Sequence, residues 1–196
     1  MRALPQWSKA ERWRRIAGLR RARGDVAGAV EALQRGTRMD YAPAVRDLAK
    51  LHQEAGEAPQ ALEAWHRLVA LDPGDAAAWV QIARLSPAER DEALGQALGA
   101  DPCRVDALLL RAGEIPGCAA VPWGLRAVDA APLAPEALKV LGAAYHACAV
   151  DLRDRGDPAG VAAQVEGLRQ VERTWWVLGD EGAAREVAAE RRALEP

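Results

Sequence analysis

The sequence predicts an all-α protein built of stacked antiparallel helical hairpins, and three observations support this. Apolar residues recur at helical spacing, as in Val45, Leu48, Ala49 and His52, which fall at i, i+3, i+4 and i+7. Short turn signals, such as Gly-Asp, Gly-Glu and Asp-Pro pairs, separate the periodic segments at regular intervals. No run of β-branched residues alternates with period two, so we expect essentially no sheet.

The most regular stretch is residues 42–73, which reads as two amphipathic helices joined by a tight turn at Gly56-Glu57. Asp72-Pro73 ends the second helix because proline cannot continue it. A hairpin this short cannot bury its apolar stripes alone. It must therefore pack on neighbouring copies of itself.

This hairpin resembles the tetratricopeptide repeat (TPR), a helix–turn–helix of about 34 residues. The Trp, Leu, Gly and Tyr places of the TPR pattern are taken by Val45, Leu48, Ala49 and His52, and its Ala, Phe and Pro places by Ala61, Trp65 and Pro73. An earlier hairpin keeps the same spacing, since Trp13 and Ala29 are as far apart as Val45 and Ala61. Trp65 and Trp79 lie in the packing stripes of their helices, so we expect both in the core. The resemblance implies a TPR-like α-solenoid of about five to six repeats, including a C-terminal helical cap.

The elements follow in order from their start and stop signals, and roughly ten to twelve helices are expected. Ser8 and Glu11 form a capping box, so the first helix should begin at Lys9. The segment 85–87, Leu-Ser-Pro, shortens the first helix of the third hairpin and places Pro87 in the first turn of the next. In the fourth hairpin, Pro122 and Gly124 weaken the second helix, which either starts near Pro122 or kinks there.

The domain expected from this pattern is a single helical repeat domain over residues 1–196. It comprises regular repeats in 8–73, degenerate repeats in 74–132, and long helices with a C-terminal cap in 133–196. The last helices form either a sixth repeat or a three-helix cap.

Charge is unevenly distributed along the chain. Residues 1–40 carry ten Lys or Arg and four Asp or Glu, which makes them +6 and leaves −8 for the remainder of a chain whose net charge is −2. Phe is absent and Ala is abundant. That composition is typical of GC-rich coding sequences and favours a bacterial source.

The cysteines and the lengths of the apolar runs bear on where in the cell the protein is located. Cys103, Cys118 and Cys148 are scattered without a C-x-x-C pair, so we expect buried thiols rather than a disulfide or a metal site. No apolar run reaches the roughly 18 residues of a membrane span. The first residues lack the apolar core of a secretory signal. We therefore expect a cytoplasmic protein.

The resemblance implies that a partner binds the concave face, which the first helix of each repeat lines. Five basic residues from three neighbouring units are placed there: Arg14, Arg15, Arg46, Lys50 and Arg84. A positive stripe would attract an acidic peptide or helix. The alternative is that these charges are merely solvated. The clamp by which some TPR proteins hold chaperone C-termini is excluded, because the sequence contains no Asn and Asp47 stands at the place of a clamp Asn.

Trp175 and Trp176 form a second candidate site, a hydrophobic docking patch. Neighbouring positions on a helix diverge by about 100°, so one ring can pack inward while the other is partly exposed. The alternative is that both rings pack within the cap.

Catalytic, cofactor and metal sites are not expected. His146 and Cys148 are two positions apart on a helix and face different directions, which excludes a Cys–His dyad. The segment 12–23 could be a basic amphipathic helix for a membrane surface or a nucleic acid. Trp13 and Ile16 are already needed for packing the repeat, however, so we expect neither a membrane nor a nucleic-acid partner.

The expected function is a non-enzymatic protein–protein interaction module, an adaptor or scaffold with a protein or peptide partner. Two alternatives remain: a dedicated TPR chaperone for a secreted or assembling client, and a regulatory subunit of a separately encoded enzyme. The sequence identifies neither the partner nor the oligomeric state, and homo-oligomerisation stays open.

Overall fold

The computed structural model describes residues 8–195, and every regular element in this range is helical. Eleven α-helices and one 3₁₀ turn are found there. Their bounds are α1 (Lys9–Ala22), α2 (Val26–Thr37), α3 (Ala42–Glu54), α4 (Ala58–Leu71), α5 (Ala76–Leu85), α6 (Arg90–Ala100), α7 (Val105–Glu114), the 3₁₀ turn (Gly117–Ala120), α8 (Val121–Ala130), α9 (Pro135–Asp154), α10 (Pro158–Leu178) and α11 (Glu181–Leu194). The predicted all-α class and helix number are confirmed. None of these helices has both the length and the apolarity needed to cross a bilayer.

Consecutive helices pack in pairs, and the chain divides after Asp101 into two compact units. This boundary lies inside the predicted degenerate segment 74–132. The single-domain organisation stays a prediction.

The first unit contains three hairpins, α1/α2, α3/α4 and α5/α6. The predicted start of α1 is confirmed, because Ser8 Oγ accepts a hydrogen bond from the Glu11 N–H at 3.1 Å. Asp25 and Asp75 cap α2 and α5 in the same way. The turn between α3 and α4 passes through Gly56, whose φ of 75° is a left-handed conformation that favours glycine.

The third hairpin differs from the prediction at its connection. α5 ends at Leu85 as expected, but α6 begins at Arg90 and not at Pro87. A turn over 87–89 intervenes, fixed by a hydrogen bond of 2.9 Å from Ser86 Oγ to Glu89 Oε1.

The two central tryptophans of the first unit are buried to different extents. Trp65 on α4 is 2% exposed, and its indole Nε1 donates to Gln53 Oε1 at 3.1 Å. Trp79 on α5, which the pattern predicts as a core residue, is only half-buried. Its Nε1 donates to the Pro73 carbonyl oxygen at 2.9 Å, so the ring lies toward the α4–α5 connection. The prediction for Trp79 was therefore wrong.

The second unit packs α7 on α8, α8 on α9, and α9, α10 and α11 on one another. Pro122 lies in the first turn of α8, so this helix starts near Pro122, which is the first of the two alternatives. Gly124 allows a close approach of α9, because a Cβ there would lie 3.1 Å from the Leu141 Cα. The core of α9–α11 is formed by Leu138, Leu141, Val165, Leu168, Val171, Trp175, Ala184 and Val187.

The prediction that all three cysteines are buried thiols is wrong. Cys118 in the 3₁₀ turn and Cys148 on α9 are joined by a disulfide across 30 positions of the chain. The 3₁₀ turn packs against α9, which brings the two Cα atoms to 4.2 Å. Cys103 lies outside this disulfide and is exposed. Spacing along the chain gave no sign of this pairing because the packing of two non-consecutive elements creates it.

Candidate partner-binding surface

The first helices of the three hairpins in the first unit share one polar face. Hydrogen bonds link α1 to α3, where Arg14 Nε donates to Asp47 Oδ2 at 2.6 Å and Arg21 donates to Glu54 at 2.8 Å. A hydrogen bond of 3.1 Å from Gln53 to Gln81 links α3 to α5. We call this surface the α1–α3–α5 face, and its residues are Arg14, Arg21, Asp47, Lys50, Gln53, Glu54, Gln81 and Arg84.

Two of the predicted basic residues serve as internal cross-links. Arg14 holds Asp47, and this hydrogen bond raises the pKa of Arg14 above its usual value. Arg46 donates to Asp75 Oδ2 at 2.6 Å. The Asp75 side chain is 8% exposed and also caps α5. Both cations therefore already have a carboxylate partner.

Lys50 and Arg84 differ from these two residues. Both side chains are exposed, and neither has a hydrogen-bond or ion-pair partner within residues 8–195. Lys50 is one turn after Asp47 on α3, and Arg84 is one turn after Gln81 on α5. Each therefore lies on the side of its helix that carries the hydrogen bonds to the neighbouring helix. The structure thus places two available cations on adjacent helices of one face.

Arg15 is separated from Arg14, although the two are neighbours in the chain. Arg14 lines a small cavity of about 120 Å³ between α1, α2 and α3. Arg15 lines a shallow depression on α1 with Arg12, Ile16, Gly18 and Leu19. Neighbouring positions of a helix point about 100° apart, which accounts for the separation. Arg15 is therefore not part of the α1–α3–α5 face.

The tryptophan pair is divided as helix geometry requires. Trp175 is 2% exposed and packs with Leu138, Leu168 and Val171 in the core of the second unit. It cannot contribute to a docking patch, and this part of the prediction is corrected. Trp176 is 46% exposed, next to the 83% exposed Val177.

The three histidines lie at separate places, each beside one carboxylate. His52 Nδ1 lies 2.5 Å from Glu57, His66 Nε2 lies 3.0 Å from Glu89, and His146 Nδ1 lies 4.0 Å from Glu190. In residues 8–195 no group of three or more His, Cys, Asp or Glu side chains is arranged to hold a metal ion.

A cleft in the second unit was missed by the sequence reasoning. It measures about 580 Å³ and lies between the α9–α10 turn, the first half of α10 and the C-terminal end of α11. It is lined by Arg153, Gly156, Asp157, Pro158, Val161, Ala162, Val165, Arg169, Ala193, Leu194 and Glu195. No motif marks these residues, which come from the end of α9, the first half of α10 and the end of α11.

Comparison with known proteins shows similarity in fold. No family model and no curated protein sequence matches the chain. A crystal structure of MamA is 18% identical with a TM-score of 0.58, covering 81% of this chain and 95% of that one. A tetratricopeptide repeat protein from Parabacteroides merdae ATCC 43184 is 13% identical with a TM-score of 0.61, covering 95% of this chain and 80% of that one. The assembly chaperone of RpL4 (Acl4) is 12% identical with a TM-score of 0.56, covering 95% of this chain and 94% of that one.

These likenesses confirm the predicted TPR-like α-solenoid fold. At such low identity they show the fold alone.

Proposed function

We propose that the chain is a non-enzymatic interaction module, an adaptor or scaffold, which binds an acidic peptide or helix of a partner protein on the α1–α3–α5 face. The observation that supports this is the pair Lys50 and Arg84, two exposed cations on adjacent helices without a partner within residues 8–195. TPR-like folds are associated with protein interaction, and the neighbour named as an assembly chaperone of RpL4 agrees with such a role.

The hydrogen bonds between the helices that carry this face favour binding as well as folding. Arg14–Asp47, Arg46–Asp75 and Gln53–Gln81 fix the helices that carry Lys50 and Arg84. A preformed surface loses less conformational entropy when a ligand binds. Each exposed ion pair with a ligand contributes only about 0–1 kcal/mol, so the charges act mainly on specificity and association rate.

A second candidate function is a dedicated chaperone for a secreted or assembling client. The neighbour named as the assembly chaperone of RpL4 supports this alternative, since the likeness extends over almost the whole of both chains. A regulatory subunit of a separately encoded enzyme is the third candidate. One stable client in a pull-down with mass spectrometry favours the chaperone, and a multi-subunit complex favours the scaffold.

We also propose a bacterial source and a cytoplasmic location, with no nucleic-acid partner. The disulfide weighs against the location, because such bonds persist mainly in oxidising compartments. Thiol trapping in cells decides between the two: a reduced Cys118 and Cys148 supports the cytoplasm, and an oxidised pair supports an oxidising compartment.

The test of the binding face reverses charge where the structure leaves cations available. The variant carries Lys50→Glu and Arg84→Glu. Its matched control carries Arg23→Glu and Arg38→Glu, which changes the net charge equally at exposed positions of the same unit outside the α1–α3–α5 face. Arg46 is left intact because its loss would unpair Asp75.

Affinity for the partner identified by pull-down is then measured at low and physiological salt. We expect weaker binding of the variant than of the control, and a smaller salt dependence. Equal affinity of variant and control would exclude this face as the binding site.

A further inference from the structure

We propose that Gln81 on α5 is a binding residue of the α1–α3–α5 face, and that its side-chain amide donates to the carboxylate of an acidic side chain of the partner. This role of Gln81 rests on the proposed function, because it takes that face as the binding surface. It adds a neutral donor, held in one orientation from the core, to the two cations Lys50 and Arg84.

A row of three hydrogen-bonded side chains leads from the core to this face. Trp65 on α4 is 2% exposed, and its indole Nε1 donates to Gln53 Oε1 at 3.1 Å. Gln53 Nε2 in turn donates to Gln81 Oε1 at 3.1 Å. The row therefore connects a buried ring to the exposed side of α5.

The indole at the buried end determines the direction of the whole row. An indole N–H can donate a hydrogen bond but cannot accept one, so Gln53 must turn its oxygen toward Trp65. The amide nitrogen of Gln53 then faces Gln81, which must present its own oxygen to it. Flipping either amide would bring two donors together. The amide nitrogen of Gln81 is thus directed away from the row.

The outer end of the row is available to a ligand. Within residues 8–195 Gln81 Nε2 has no partner, and it is accessible to solvent. Arg84 follows Gln81 by one turn on α5. Lys50 precedes Gln53, the neighbour of Gln81, by one turn on α3. Positions one turn apart on a helix are adjacent, so the amide lies beside both cations.

The three available groups share one hydrogen-bonding property. Ammonium, guanidinium and amide NH₂ groups donate, and none of them accepts. Both carboxylates of the face, Asp47 and Glu54, already hold an arginine of α1. The ligand group must therefore be an acceptor, and the two positive charges favour a carboxylate over a neutral carbonyl. The directed amide adds a geometric condition that a flexible lysine side chain does not impose.

The probe is hexaglutamate with both ends blocked, which offers side-chain carboxylates only, and end-blocked hexaglutamine is its uncharged counterpart. Binding to the full chain is followed by heteronuclear NMR of the indole N–H groups, with the Trp65 signal assigned from a Trp65→Phe variant. We expect hexaglutamate to bind and hexaglutamine not to bind. Hydrogen bonds in a row polarise one another, so a carboxylate on Gln81 should move the Trp65 indole proton to lower field. The signals of Trp123 and Trp176 in the second unit should not move.

Gln81→Leu removes the donor while keeping a side chain of similar size. We expect about twofold to tenfold weaker binding of hexaglutamate, the net effect of one neutral hydrogen bond, and no shift of the Trp65 signal. This loss should be the same at low and physiological salt. The loss in the Lys50→Glu/Arg84→Glu variant should instead shrink as salt screens the charges. Gln34→Leu, on the exposed side of α2 outside the face, is the matched control and should bind normally.

The two sets of variants distinguish failure of the Gln81 role from failure of the face. Weak binding by Lys50→Glu/Arg84→Glu with normal binding by Gln81→Leu would overturn the role of Gln81 and retain the face. Normal binding by both variants would overturn both. A Trp65 signal that does not move, or equal binding of hexaglutamine, would also overturn the role of Gln81. Failure of hexaglutamate to bind would do the same, whereas the proposed function is judged with the partner itself.

Discussion

The ring of Tyr145 on α9 lies so close to Gly167 on α10 that no methyl group fits between them. An ideal Cβ on Gly167 would lie 2.6 Å from both Cε1 and Cζ of Tyr145. Glycine in the middle of a helix normally costs about 1 kcal/mol relative to alanine. Here it permits the two longest helices of the second unit to approach each other.

We therefore expect Gly167→Ala to destabilise the protein, although alanine is the better helix former. The steric overlap should cost about 1–3 kcal/mol, which exceeds the gain in helix propensity. The control is Gly95→Ala in α6, where nothing lies within 4 Å of the added Cβ and a stabilisation of about 0.5–1 kcal/mol is expected. Urea unfolding followed by circular dichroism measures both, and effects of the same sign would contradict the close contact.

The two central tryptophans of the first unit should differ in their contribution to stability. Trp65→Ala removes a ring that is 2% exposed and the hydrogen-bond donor of Gln53 Oε1, so it should cost about 3–5 kcal/mol. Trp79→Ala removes a half-buried ring with one hydrogen bond, and about 1–2 kcal/mol is expected. The free energies of unfolding of the two variants are compared under the same conditions. A Trp79 variant as unstable as the Trp65 variant would restore the core position that the pattern predicted.

The ion pairs at the end of α11 should make the stability of the protein depend on pH in the acid range. The hydrogen bond from Arg169 lowers the pKa of Glu195 below its ordinary value of 4.5, burial opposes this, and the bond from Arg191 reinforces it. A lowered pKa in the folded state means that this stabilisation is present above about pH 4.5 and is lost as the pH falls through the folded-state pKa.

Glu195→Gln should therefore lower stability at neutral pH and flatten its decline in acid. The control Glu186→Gln makes the same charge change on the exposed side of α11 and should leave the profile unchanged. Melting temperatures are recorded from pH 7 to pH 3. Identical profiles for the two variants would show that the ion pairs contribute nothing.

The disulfide predicts a specific thiol count. Denatured protein without reductant should expose one thiol, that of Cys103, and reduction should expose three. Replacing Cys118 and Cys148 by serine should cost about 3–4 kcal/mol, because a bond spanning 30 residues restricts the unfolded chain. Cys103→Ser is the control, because it removes a thiol that lies outside the disulfide. Three thiols before reduction would mean that the bond does not form.

Local pattern predicted the helices well because each carries its own signals. The cap at Ser8, the end of α4 at Asp72 and the start of α8 near Pro122 all depend on residues within one turn of the helix end. Where a feature depended on a distant element, the sequence was silent or misleading. Two of the predicted binding residues, Arg14 and Arg46, pair with Asp47 and Asp75, which lie on other elements. Nothing in the spacing of the sequence indicates these pairs.

Helical periodicity states which face a residue occupies but not how completely its neighbours cover it. Trp175 and Trp176 were correctly predicted to diverge, yet only packing shows that Trp175 is the buried ring. The cleft beside α10 likewise depends on packing, since it brings together residues of α9, α10 and α11 that no motif links.

The bond between Cys118 and Cys148 also determines how far the chain can be stretched. Between these residues lie the end of the 3₁₀ turn, all of α8 and most of α9. When the oxidised protein is pulled from its two ends, this segment can unfold but cannot extend. The fully stretched contour is thus shorter than that of the reduced protein by about 100 Å, the span of roughly 30 extended residues. In an optical trap, addition of a reductant would release that length in one step.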